Sequence, residues 1–208
     1  MSGSFVIFDC EWLTDEGSNT RFWCGPHDPD QVLIQIGAVK VAITDSVEIA
    51  ELFSTLVKPV DRFNAPHPVS TFFTQLTQIT PERIQAEGKP VQEVVTQFAE
   101  FCGDDMIWAW GKDENVAMAL AAFYGGFTPP LPATQFDNMS KIFLKAGMEH
   151  DVLANTRSNQ LARHFGVDPG ELTAHDGLDD ALSIFHALKF LVDQGKVDPK
   201  WLLKPFSK

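Results

Sequence analysis

Phe5-Val6-Ile7-Phe8 runs without a break into Asp9-Cys10-Glu11. A short unbroken apolar run reads as a buried strand near the middle of a sheet. Side chains alternate along a strand, so Asp9 and Glu11 share one face at its end. Two carboxylates placed there repel each other and are costly to take out of water. Either the strand has ended and both acids face solvent, or a divalent cation neutralises them.

At 208 residues the chain is long enough for one domain with a sizeable core. No apolar run reaches the roughly 18–20 residues that span a bilayer, so no membrane partner is expected. The opening MSGSF has no basic region followed by an apolar stretch, so no secretory leader is expected. Cys10, Cys24 and Cys102 are odd in number and widely spaced, which fits free thiols in a reducing compartment and a cytoplasmic location. Cys24 and His27 lack a second ligand pair for zinc. The net charge of −12 argues against nonspecific coating of nucleic acid. It leaves room for an enzyme of nucleic acids, because carboxylates gathered around divalent cations are neutralised at the site.

Residues 12–31 are polar and turn-rich and read as a loop beside the acids, a flap over them. Segments 32–43 and 48–58 are β-rich, and Thr44-Asp45-Ser46 between them predicts an antiparallel hairpin. Thr80 followed by Pro81 predicts a helix start. Val91, Val94, Val95 and Phe98 predict an amphipathic helix ending near Gly103. Met106 to Trp110 is a second apolar strand, leading through Gly111-Lys112-Asp113-Glu114 into another helix. Asp137 and Ser158 are expected to cap two further helices. Leu178, Ala181, Phe185, Leu188 and Leu191 form the stripe of a last long helix after His175-Asp176-Gly177. The order predicts one α/β domain over residues 1–192, built on a mixed sheet. A tail, 193–208, carries Trp201, Leu202, Leu203 and Phe206 and packs on the domain or on a partner.

Asp113 opens a helix, Asp180 lies in the first turns of another, and His175 precedes it on a loop. Singly, each reads as well as a dipole-favoured helix acid, a solvated face residue and an ordinary loop histidine. Together, Asp9-x-Glu11, Asp113 and His175-x-x-x-x-Asp180 resemble the DEDDh branch of the DnaQ-like 3′–5′ exonucleases, in the ribonuclease H-like superfamily. Ile34-Gln35-Ile36-Gly37-Ala38-Val39 is similar to that family's second strand, and Phe53 to Pro59 to its third. Leu76-Thr77-Gln78-Ile79-Thr80 resembles its Leu-Thr-Gly-Ile-Thr segment, and His175 to Ala181 its His-x-Ala-x-x-Asp-Ala motif. The likeness covers about residues 5–192. Gln78 stands for the usual glycine, Gly177 for the usual alanine, and Lys112 where an aromatic often precedes the motif-two acid. A one-residue shift puts Glu114 in that position; Asp113 is preferred for its carboxylate's length and its place at the strand-to-helix junction. Asp179 is the alternative to Asp180, but only Asp180 gives the four-residue gap. Trp110-Gly111 is similar to the small exoribonuclease members.

The resemblance implies a ribonuclease H-like fold, a mixed sheet of about five strands with one antiparallel, flanked by helices. It implies two Mg²⁺ ions, with Mn²⁺ able to substitute, held by Asp9, Glu11, Asp113 and Asp180. His175 would be general base for the attacking water. The substrate would be the 3′ end of single-stranded RNA or DNA, RNA favoured, cut to 5′-mononucleotides, with Trp12, Leu76 and Thr77 near the terminal nucleotide. Lys112, Lys141, Lys145, Arg157 and Arg163 read as phosphate contacts or as solvated charges. Many relatives are homodimers. The rival readings are a DNA proofreading or repair subunit, docked in the proofreading case through the tail, and a non-catalytic binding module.

Overall fold

The computed structural model describes residues 3–206. Five strands form one sheet: β1 (Ser4–Trp12), β2 (Leu33–Ile43), β3 (Val47–Leu56), β4 (Met106–Ala109) and β5 (Phe136–Asn138). Their spatial order is β3-β2-β1-β4-β5, so the apolar run at residues 5–8 lies in the middle strand, buried on both faces. β2 runs antiparallel to β1 and β3, while β4 is parallel to β1 and β5 to β4. One reversed strand therefore makes the sheet mixed. Eight helices accompany it among the described residues: α1 (Thr71–Thr77), α2 (Pro81–Glu87), α3 (Val91–Cys102), α4 (Asp113–Gly125), α5 (Ser140–Lys145), α6 (His150–Asn155), α7 (Leu161–His164) and α8 (Gly177–Asp193). None is long and apolar enough to cross a membrane.

Strand alternation sorts the core into two layers. Phe5 and Ile7 pack with Trp108, Phe143, Phe185 and Leu188 on the α8 side. Val6, Phe8 and Cys10 pack with Val94, Phe98 and Met118 on the α3 and α4 side. Asp9 and Glu11 continue the Phe5–Ile7 face, so they emerge beneath the start of α8.

There the helix comes unusually close to the sheet. Gly37 is the cross-strand partner of Asp9. A Cβ at Gly37 would lie 1.9 Å from the Leu178 backbone nitrogen, so only glycine fits. A Cβ at Gly177 would meet the Asp9 carbonyl oxygen at 3.0 Å. Glycine instead of alanine at 177 thus relieves a tight contact.

Two expected caps are something else. Asp137 lies in β5, opposite Trp108, and its carboxylate accepts from Lys141 Nζ and from the Asn138 and Phe206 backbone N–H groups. A three-residue strand leaves too little periodicity to be read beforehand. Ser158 begins a short 3₁₀ turn (Ser158–Gln160) and its hydroxyl bonds Asp180 at 3.3 Å. The tail, in its described part 193–206, lies on the α8-side core: Leu202 is fully buried, and its carbonyl accepts from Trp108 Nε1 at 3.0 Å; residues 207–208 lie outside the described residues. Lys145 Nζ sits 3.7 Å from the Trp201 ring centroid.

Gln78 ends α1 in the left-handed region, φ +61°, where the resembling families place glycine. Its side-chain Nε2 donates to the Gln75 carbonyl at 2.7 Å, a partial compensation for a conformation that disfavours a Cβ. Gln78→Gly is expected to raise stability by about 0.5–1 kcal/mol, read as a higher urea midpoint with unchanged slope. A lower midpoint would show that the side-chain bond outweighs the strain.

Candidate active site

The carboxyl edge of β1 opens into a cavity of about 710 Å³. Asp9 and Glu11 come from the strand, Glu114 from the first turn of α4, Asp180 from the first turn of α8, and His175 from the residue preceding that helix's cap. Ligand atoms of Glu11, His175 and Asp180 all lie within 4.8 Å of one another. Asp9 sits under the same field: burial raises its carboxyl well above the usual range, reinforced by Glu114, Asp180 and Glu11. Glu11 is raised likewise, by burial first and then by Asp180. Burial pushes Glu114 up to about 8, with Asp113 adding to it. Asp180 is pushed to about 7 by burial, partly offset by the Ser158 hydroxyl and the His175 backbone N–H.

The helix start that carries Asp180 is fastened to the sheet by Gln35, a fully buried polar residue in an apolar strand. Its Oε1 accepts from the Gly177 N–H at 2.9 Å, and its Nε2 donates to Asp176 Oδ2 at 2.9 Å. Asp176 in turn caps α8 by accepting from the Leu178 and Asp179 N–H groups. His175 immediately before it is held at φ +62°, a strained conformation for a residue with a Cβ. Burial lowers the His175 pKa below 6.5, and the nearby Arg157 lowers it further.

The expected motif-two acid, Asp113, stays exposed at the cavity rim, and Glu114 takes the inward position. Successive helix residues point about 100° apart. Trp12 and Leu76 line the cavity. Thr77 does not: it is buried, its hydroxyl donates to the Phe73 carbonyl at 3.0 Å and accepts from the Ile79 N–H at 3.1 Å. Those bonds close α1. Arg157 is the single cationic side chain among the described residues lining the cavity; Lys112, Lys141, Lys145 and Arg163 lie outside it. Gln35, Asp176 and Ser158 were not marked as site residues by spacing, though a glutamine inside a run of apolar strand residues was a visible signal.

These residues fit divalent cations. Glu114 Oε2 and Asp180 Oδ1 are buried with no hydrogen-bond partner, a state costly for a carboxylate unless a cation or proton is supplied. The donors of Asp9, Glu11, Glu114 and Asp180 are carboxylate oxygens, a hard set that suits hard divalent cations, with the His175 imidazole beside them.

A family model described as an exonuclease, RNase_T, matches residues 6–188. The nuclease domain of 3′hExo, described as a DEDDh family member bound to rAMP, superposes with a TM-score of 0.73 at 19% identity, covering 94% of each chain. An E. coli ExoI–ssDNA complex superposes at 0.63 and 16% identity, covering 94% of this chain and 42% of the other. The PolC-type DNA polymerase III of Streptococcus pyogenes serotype M2 (strain MGAS10270) is 27% identical over 137 residues, 65% of this chain and 8% of the polymerase. The chain spans less than a tenth of the curated relatives it matches.

Because the four acids have folded-state pKa values above their unfolded ones, their stabilising contribution is complete below about pH 4. It is lost as pH rises through about 7 for Asp180 and about 8 for Glu114. In EDTA, the melting temperature is therefore expected to fall from about pH 5 to about pH 8. Glu114→Gln should flatten the slope, and Mg²⁺ should cancel it. A slope that neither change affects would separate the acids from the pH dependence.

Proposed function

The chain belongs to the RNase_T exonuclease family, and we propose that it hydrolyses single-stranded nucleic acid from the 3′ end, releasing 5′-mononucleotides. The observation that carries this is the convergence of Glu11, His175 and Asp180 beside Asp9 and Glu114, with two buried carboxylate oxygens left unpartnered. Asp9, Glu11, Glu114 and Asp180 would hold two divalent cations, Mg²⁺ with Mn²⁺ able to substitute. Bound there, such ions supply Lewis-acid activation of water and charge stabilisation at the departing 3′-oxygen. Glu114 takes the role expected of Asp113.

His175 receives the proton of the attacking water as general base, and for that its imidazole must be neutral. Burial and Arg157 lower its pKa and so favour the neutral form. Gln35 and Asp176 orient the helix start, so Asp180 and His175 keep a fixed relation to the strand acids. Arg157 meets a backbone phosphate, and Trp12 and Leu76 flank the terminal nucleotide.

RNA is the favoured substrate, a reading supported by the rAMP-bound 3′hExo domain. DNA is the second reading, supported by the ExoI–ssDNA complex and the polymerase relatives. A time course on 5′-labelled RNA and DNA of one sequence, with Mg²⁺ and with EDTA, tests both. Metal-dependent shortening from the 3′ end is expected, and the ratio of rates names the sugar. No shortening with either metal would overturn the proposal.

Glu114→Gln should lower kcat on the order of 10²-fold or more, while Asp113→Asn stays within a few-fold of wild type. The reverse order would return the motif-two role to Asp113. The rate should hold as pH falls to 6.5 and decline only below it, since the folded His175 pKa lies under that value. Arg157→Gln should move this acid limb upward. A profile flat to about pH 5 would remove His175 as the base.

A further inference from the structure

We infer that Ser158 is a positioning residue for Asp180: its hydroxyl sets the carboxylate of that acid for cation binding, a role that rests on the divalent-cation reading of the cavity. Asp180 is buried, and its two oxygens are not equivalent. Oδ2 accepts from Ser158 Oγ at 3.3 Å, while Oδ1 is buried with no hydrogen-bond partner. One oxygen is thus occupied by the protein and the other is left for a cation. None of the ion pairs among the described residues includes Asp180. Ser158 supplies the single side-chain donor it has among those residues. Asp9, Glu11 and Glu114 have no side-chain donor at all there.

An aspartate in this place needs such a partner. Its outer torsion is broad and two-fold rather than staggered, so rotamer preference alone does not aim the oxygens. Ligand atoms of Glu11 lie within 4.8 Å, and like charges at that range turn an undirected carboxylate away. A hydroxyl hydrogen bond to one oxygen opposes that rotation.

The Ser158 hydroxyl has a cheaper alternative that it does not take. Serine at the start of a helical turn commonly bonds nearby backbone groups. Here the bond reaches 22 residues along the chain, to α8. The backbone beneath it is tied on either side: the Thr156 carbonyl accepts from Trp110 Nε1 at 3.0 Å, and the Arg157 N–H donates to Gln160 Oε1 at 3.4 Å. Trp110 follows β4, so the 156–160 segment joins the end of that strand to the start of α8. Ser158 itself lines the cavity. It touches no reacting atom and acts through Asp180.

The test is the concentration of Mg²⁺, and separately of Ca²⁺, that half-completes the metal-induced rise in melting temperature, at one fixed pH and without nucleic acid. Ser158→Ala should raise that midpoint by about 10-fold to about 100-fold, the range for removing the hydrogen-bond partner of a metal-binding side chain. Ser158→Thr keeps the hydroxyl and should bring the midpoint back toward wild type. A merely structural role would lower the metal-free melting temperature and leave the midpoint in place. An unchanged midpoint in Ser158→Ala, an equal rise in Ser158→Thr, or no metal-induced rise in wild type overturns the inference. Turnover of a single strand is scored separately: a Ser158-dependent midpoint in a protein that shortens neither RNA nor DNA would remove the exonuclease reading and leave the positioning role.

Discussion

The start of α8 rests on the sheet where two glycines face each other, and the active cavity follows from that contact. Gly37 admits the helix backbone, and Gly177 keeps the Asp9 carbonyl at a tolerable distance. Gln35 then ties the first helical N–H and the capping Asp176 to the same strand. A hydrogen bond to a charged group contributes about 1.5–3 kcal/mol. Two like charges about 5 Å apart at an effective dielectric of about 20 repel by about 3 kcal/mol. A fastening of that size offsets the repulsion of an ionised pair, which the raised pKa values of Glu11 and Asp180 further relieve.

The same region concentrates the structure's unfavourable terms. Four buried acids, two orphaned carboxylate oxygens and a left-handed His175 lie around one cavity. Strain and unpaired charge persist only where surrounding packing over-determines them. Here the two core layers on either side of β1 do that, with Phe5, Ile7 and Trp108 on one face and Val6, Phe8 and Phe98 on the other.

Much of this was legible in the sequence. β1 announced itself by its apolar run, and its alternation placed Asp9 and Glu11 on one face. The stripe of α8 gave the helix and, with it, the position of Asp180. What the pattern leaves open is a single residue of phase. Asp113 and Glu114 are neighbours in sequence and about 100° apart on a helix, and the fold buries Glu114 while Asp113 stays exposed. Thr77 looked available because a hydroxyl's partner is invisible in sequence.

The route of the chain through the sheet sets when the cavity can exist. β1 supplies the first two acids, but its parallel neighbour begins at Met106 and the helix that covers it begins at Gly177. On a ribosome, the central strand emerges early and can pair with β2, but its parallel neighbour and its covering helix follow only about a hundred residues or more later; such long-range contacts slow folding. Until Asp180 has been made and α8 has docked, Asp9 and Glu11 lack Asp180 and His175 beside them. The full set of cavity carboxylates is therefore in place only once the C-terminal third of the chain has been made and α8 lies on the sheet.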